Sequence, residues 1–226
     1  MEATLATGGN GQEVRKGSGP PAHQETTGNR DIPEEDLRRA HLYGLLSRVL
    51  AEPMSDETLE IVRSLEGESD DTLLGKALAA LGTIGVRTAR GAAGEEYSLL
   101  FYGAGAGGEL LPYGSNYLTG ALYEKPLADL RGAMAELGIA DSGLSKEPED
   151  HIAFLCEIMH GLITGAFGEP ADLAAQAKFF KAHLVPWAGK FFEDLESAKT
   201  AVLYMPVGTI GKLFMAIEGE AFEIAA

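Results

Sequence analysis

The stretch KEPEDHIAFLCEIM, Lys146 to Met159, decides how the chain is read. Ile152, Leu155, Cys156, Met159, Leu162, Ile163 and Ala166 recur at steps of three and four. That is the period of an α-helix with one buried face, not the alternation of a half-buried strand. Pro148 marks the start of this helix. Around it Glu147, Asp150 and His151, at spacings of three and four, can share one face of the first turn. Capping accounts for the carboxylates, because acidic groups at a helix N-terminus complement the open amides and the dipole. It does not account for His151, since a cationic imidazole is disfavoured there. The dipole keeps His151 neutral unless the two carboxylates hold it charged. On the residues alone, a cap and a functional site (a metal set, an acid–base pair, or acceptors for a ligand) both stay open.

Outward from this helix the same period dominates. Glu35–Ala51 carries apolar residues at helical spacing, with order beginning at Pro33 as a first helical residue and Pro53 ending the helix. Ser55 caps the next helix, with Asp56 and Glu57 in its first turn. Further helical stretches cover about Asp71–Arg90, GEEYSLLFY, the segment opened by Pro126, a long one after Pro170 broken near Pro186, and a last one from about Pro206. No segment alternates β-branched residues between hairpin turns. The expected fold is all-α, with about nine or ten helices in one globular domain or two closely packed subdomains, about 33–139 and 147–226. Residues 1–32, rich in Gly, Thr and polar residues, read as a disordered tail.

Eighteen basic against 34 acidic residues give a net charge of −16, which repels phosphate backbones and anionic lipid and favours basic partners. Nucleic acid is therefore not an expected ligand. The single cysteine, Cys156, excludes an internal disulfide and reads as a buried small hydrophobe, and the cytoplasm is the natural compartment. No apolar run is long enough to span a membrane. Arg38-Arg39 ahead of an apolar run imitates a twin-arginine export signal, but Arg48 interrupts the run and acidic residues precede it, so an amphipathic helix is the better reading.

Other motifs carry less. Gly103, Gly105 and Gly108 match a dinucleotide fingerprint in letters only, because the mechanism needs a strand before the loop and a helix N-terminus after it. Glu157 and His160 form half of a di-iron pattern whose second half is missing, which leaves a solvated polar face. No nucleophile elbow exists, and Ser115 is read as the cap of the helix that follows it. Trp187, behind the helix-breaking Pro186, is read as a core anchor.

Three pieces taken together, YSLLFYG…LLPYGSNY (Tyr97–Tyr117), EPEDHIAFLCEIM (Glu147–Met159) and FFKAHLVPWAGKFFEDL (Phe179–Leu195), resemble the TorD/DmsD family of cytoplasmic chaperones for molybdenum enzymes. The resemblance runs over about residues 35–220. It implies an all-helical fold and no catalytic turnover. It further implies that the chain binds the N-terminal, twin-arginine signal region of an apo molybdoenzyme catalytic subunit, assisting cofactor insertion and holding back export. Carried over residue by residue, the family's peptide groove falls on Pro112, Tyr113, Ser115, Tyr117, Glu147, Pro148, Asp150 and His151. No catalytic residue, metal ligand or cofactor is assigned. Guanine nucleotide or molybdenum cofactor binding, proposed for some members, has no independent support in these residues. The chain departs from the family at Leu111, where a second proline is usual, and at Gly114, where an acidic residue is common. Metal binding or hydrolysis through Glu147, Asp150 and His151, and a nucleotide response through the Gly-rich loop, are the alternatives. Monomer and homodimer are both open, since a flexible Ala140–Glu147 segment lets helical halves swap.

Overall fold

A helix hydrophobic on every side has nowhere to go but the interior, and the centre of this molecule is such a helix. In the computed structural model, which describes residues 32–66, 71–103, 107–140 and 147–225, the helix Ile152–Thr164 (α7) buries the expected stripe from Ile152 to Ile163 and also Ala153, Ile158 and Gly161, while Ala166 lies beyond its end and is exposed. Only Glu157 of its thirteen residues is fully exposed. The stripe was thus one face of a helix buried nearly all round.

Ahead of α7 run α1 (Glu34–Ala51), α2 (Asp56–Ser64), α3 (Leu73–Arg87), α4 (Arg90–Tyr97), a π-helical turn (Ser98–Tyr102), α5 (Gly114–Thr119) and α6 (Lys125–Glu136). After it come α8 (Leu173–His183), α9 (Ala188–Glu196) and α10 (Tyr204–Ile224). The all-α expectation holds, with ten α-helices and no strand among the described residues. Ile32–Ala226 forms one compact unit. Helices from both sides of residues 140–147 interleave within it, α1 along α7 and α3 along α10. The disordered tail expected up to residue 32 lies, except for Ile32, outside the described residues, as do Gly105 and residues 141–146 of the swap segment.

Local chemistry explains most boundaries. Ser55 caps α2 through its side chain, accepting from the Thr58 amide at 3.1 Å, as expected. Two prolines sit elsewhere than expected. Pro33 is the N-cap of α1, its carbonyl accepting from the Leu37 amide, and Pro148 lies in a turn four residues before α7 begins. Arg39, in the imitation export signal, belongs to the interior. It donates through Nε and Nη2 to the two oxygens of Glu218 on α10, at 2.7 and 2.8 Å. The buried Tyr43 hydroxyl donates to the same carboxylate, so α1 and α10 are tied by a buried ionic knot. Its partner in the doublet, Arg38, pairs with Glu34 at the surface.

The N-terminus of α10 has no cap of its own. Glu96, on α4, supplies one from more than a hundred residues away, accepting from the amides of Val202, Leu203 and Tyr204 at 2.7, 3.1 and 2.8 Å. Further along α10, Gly208 lets the helix press onto α9. A Cβ there would lie 2.7 Å from the Glu196 Cα and 2.8 Å from the Phe192 carbonyl oxygen. Since both are backbone atoms, Gly208→Ala is expected to cost about 1–3 kcal/mol despite alanine's better helix propensity. Urea denaturation checks this, and an unchanged midpoint would mean that α9 and α10 can separate freely.

Candidate functional site

Two segments far apart in sequence meet through their backbones. The Ile152 amide donates to the Pro112 carbonyl and the Gly114 amide to the Asp150 carbonyl, both at 2.9 Å, making an isolated antiparallel bridge between Tyr113 and His151. The helix starts α5 and α7 are thereby fixed side by side.

The bridge reverses the expected division of labour at the α7 terminus. Here His151, not a carboxylate, is the N-cap, and its Nδ1 accepts from the Ala153 amide at 3.1 Å. An accepting Nδ1 carries no proton, so the ring is neutral with its hydrogen on Nε2. Burial holds its pKa down at about 4, consistent with the neutral ring expected near the helix dipole. Asp150 turns the other way. Its carbonyl takes the first amide of α5, and its Oδ2 accepts from the second, that of Ser115, at 2.6 Å. Asp150 therefore caps α5 from 35 residues away. Ser115, expected to cap α5, is its second residue, and its buried Oγ has no hydrogen-bond partner.

The other sequence-predicted residues divide between interior and edge. Pro112 and Pro148 are buried beneath the bridge. Tyr113 is half-buried, its ring edge-on to His151 at 5.2 Å and its hydroxyl donating to the exposed Glu147. Burial and that carboxylate both push the Tyr113 phenol pKa up. Tyr117 faces α9, where it packs on Trp187 and Phe191 and donates to Asp194 Oδ2 at 3.2 Å. Hence Glu147, Asp150 and His151, which could have shared a helix face, point to three separate partners. Among the described residues no three His, Cys, Asp or Glu side chains lie close enough to hold a metal ion together.

Beneath α5 lies a cavity of about 220 Å³. Leu118, Pro126, Leu130, Leu155 and Trp187 supply apolar wall, while Asp129, Asp150 and His183 supply the polar part. Asp150 is 2 % exposed, and its Oδ1 has no hydrogen-bond partner. Trp187 is the core anchor expected, its Nε1 donating to the His183 carbonyl at 2.8 Å, and it also walls this cavity. Gly114 accounts for one departure from the family pattern. A Cβ there would come within 3.0 Å of the Trp187 indole nitrogen, so a larger residue would require the indole to shift by about a few tenths of an ångström. A larger groove of about 830 Å³, lined by Phe180, Leu184, Met215 and Gly219 among others, holds none of the residues singled out from the sequence.

Sequence reasoning missed Glu149. It is buried and held by both Nε and Nη2 of Arg131 at 2.8 and 2.7 Å, and that guanidinium keeps its carboxyl below the ordinary range. The pair joins α6 to the Pro148 turn. No local spacing announces it, because Arg131 lies 18 residues upstream on another helix. His160 also differs from expectation. Rather than facing solvent, its Nδ1 lies 2.9 Å from the Ala40 carbonyl of α1, close to Gly44. The Gly103 loop follows a π-helical turn, not a strand, as the weak fingerprint reading anticipated.

Ten α-helices packed in one unit, with no strand among the described residues, place the chain in the all-α class. Its particular family follows from comparison. Residues 68–193, more than half the chain, match the family model described as "Nitrate reductase delta subunit", and the chain belongs to this family of TorD-type redox enzyme maturation chaperones. The family is one of chaperones rather than enzymes. The "Chaperone protein TorD" of Vibrio atlanticus (strain LGP32) is 27 % identical over 200 residues, covering 80 % of this chain and 93 % of that one. That of Aliivibrio fischeri (strain ATCC 700601 / ES114) is 29 % identical over 181 residues, covering 69 % and 81 %. The fold is shared with a crystal structure described as a candidate redox enzyme maturation protein from Archaeoglobus fulgidus, with TM-score 0.56 and 18 % identity over 79 % of this chain and 93 % of that one.

Proposed function

We propose that the protein is a cytoplasmic chaperone that binds the N-terminal signal region of an apo molybdoenzyme catalytic subunit, assisting cofactor insertion and delaying export, by binding alone. The observation that carries this reading is the Asp150 carboxylate. One oxygen caps α5 while the other is buried without a hydrogen-bond partner, and Asp150 is among the residues lining a cavity of about 220 Å³. A buried acceptor of this kind costs stability unless something donates to it. A donor-bearing basic side chain of a partner answers that need, and the net charge of −16 favours the approach of a basic segment. Tyr113 and Glu147 form the adjoining edge. The TorD relatives and the family match support the chaperone role.

Two measurements test it. Tagged protein isolated from cells making molybdoenzymes is expected to carry a catalytic subunit with its signal still attached. Titration with a synthetic peptide holding two adjacent arginines ahead of an apolar run should show binding that Asp150→Asn weakens about tenfold, the scale of one charge-assisted hydrogen bond. Asparagine can still accept from the Ser115 amide, so circular dichroism should be unchanged. Recovery of no such subunit and no peptide binding would end this reading.

A further inference from the structure

One face of the last helix turns apolar side chains to water. Along α10, Leu213, Ala216, Ile217, Glu220 and Ile224 recur at steps of three and four, so they form a ridge along the helix. Ala216 is exposed, Leu213 is half-buried, and Ile217 and Ile224 are 47 % and 88 % exposed. Contiguous apolar surface of this kind marks an interaction site. Beside the ridge runs the groove of about 830 Å³, between α10 and the corner from α8 into α9. Phe180, Leu184 and Met215 give it apolar wall, and Gly189 and Gly219 leave it open. A Cβ at either glycine would meet nothing within 4 Å. No contact inside the chain therefore requires glycine at position 219, where alanine would favour the helix by about 1 kcal/mol. A ridge and a groove side by side on one face are the surfaces by which helices interdigitate, and a face holding both fits a copy of itself.

The charges select the occupant. Lys212 and Glu220 both line the groove, and each lies four residues from Ala216, on opposite sides of it. A second copy of α10 laid antiparallel across a two-fold axis at Ala216 sets the partner's Glu220 opposite Lys212 and the partner's Lys212 opposite Glu220. The same register sets Leu213 opposite the partner's Gly219, a branched side chain over an open backbone. Glu220 makes no hydrogen bond or ion pair among the described residues. Lys212 donates to Glu196, and its ammonium group keeps protons for a second acceptor. We propose that this face of α10 is an interface between two copies of the chain, related by a two-fold axis at Ala216, with no exchange of helices between them. The net charge of −16 on each copy repels at long range, so the apolar ridge supplies the affinity and the two Lys212–Glu220 pairs fix the register.

Sedimentation velocity of the full chain at physiological salt should show monomer passing to dimer as its concentration rises from about 5 to about 200 µM. Lys212→Glu and Glu220→Lys each set like charges opposite one another twice, so each alone should weaken the dimer at least about tenfold. Mixed in equal amounts, the two variants restore both pairs in a heterodimer, which should associate within about threefold of the parent. Gly219→Glu fills the open floor without a clash inside the chain, so circular dichroism should be unchanged while the dimer is lost. In Ala216→Cys the two new thiols meet at the axis, and mild oxidation should link the copies, whereas the buried Cys156 of the parent should not. A parent that stays monomeric throughout overturns the proposal, as does a dimer that Gly219→Glu and both charge variants leave intact. A mixture that associates no better than its components overturns it too, because the register across Ala216 is then wrong.

Discussion

Glu218→Ala is expected to lower the free energy of unfolding by about 3–5 kcal/mol, the scale for breaking one side of a buried ion pair. The carboxylate is 1 % exposed and accepts from Arg39 through two nitrogens and from Tyr43. Removing it leaves a guanidinium of 14 % side-chain exposure with only Asp36 at 2.6 Å and strands a buried phenol hydroxyl between α1 and α10. The ring of Phe222, 5.1 Å from the guanidinium carbon, cannot replace a carboxylate. The double variant Arg39→Leu with Glu218→Leu should recover much of the loss, because apolar groups replace both desolvated charges at once. Urea denaturation of the single and double variants gives the coupling directly. Single-variant losses below about 1 kcal/mol would show that apolar packing alone holds α1 to α10.

The second large effect is a dependence on pH carried by His151. Its pKa is about 4 in the folded chain against the ordinary value of 6.5, because the ring is buried. The unfolded chain therefore binds the proton more readily. The stabilisation is complete above pH 6.5 and is lost as pH falls from 6.5 toward 4, for a total of about 3 kcal/mol. At pH 5 about 2 kcal/mol of it should already be gone. His151→Asn retains a side chain able to cap α7 and does not titrate. Comparing the two proteins at pH 7.5 and pH 5 cancels the carboxylates they share, so the parent should lose about 2 kcal/mol more than the variant. Identical losses would mean that the ring takes up its proton without disturbing the cap.

The fold was legible in the sequence wherever one helix could be judged from its own residues. Ser55 announced α2, Pro186 announced the break between α8 and α9, and the stripe from Ile152 to Ala166 announced the helix at the centre. Boundaries slipped where a cap comes from elsewhere. Pro148 looked like the start of α7, yet it opens a separate turn closed by the His151 amide on its carbonyl, and the bridge to Tyr113 holds His151 itself extended as the cap. Pro206 placed the start of α10 within two residues, but nothing local signals its cap, because Glu96 supplies it from α4.

At the candidate site the structure brings the marked segments together and gives several of their side chains local roles that the spacing did not announce. Residues 112–117 and 147–151 do come together, but Asp150 serves α5, Tyr117 serves α9, and Glu149 with Arg131 passed unnoticed. The sequence by itself determined the helices, because a helix is built from bonds four residues apart and a periodicity readable along the chain. Only the tertiary structure decided which side chains became caps, cavity wall or exposed edge, because those roles depend on contacts between residues 18 to more than a hundred positions apart that no local spacing encodes.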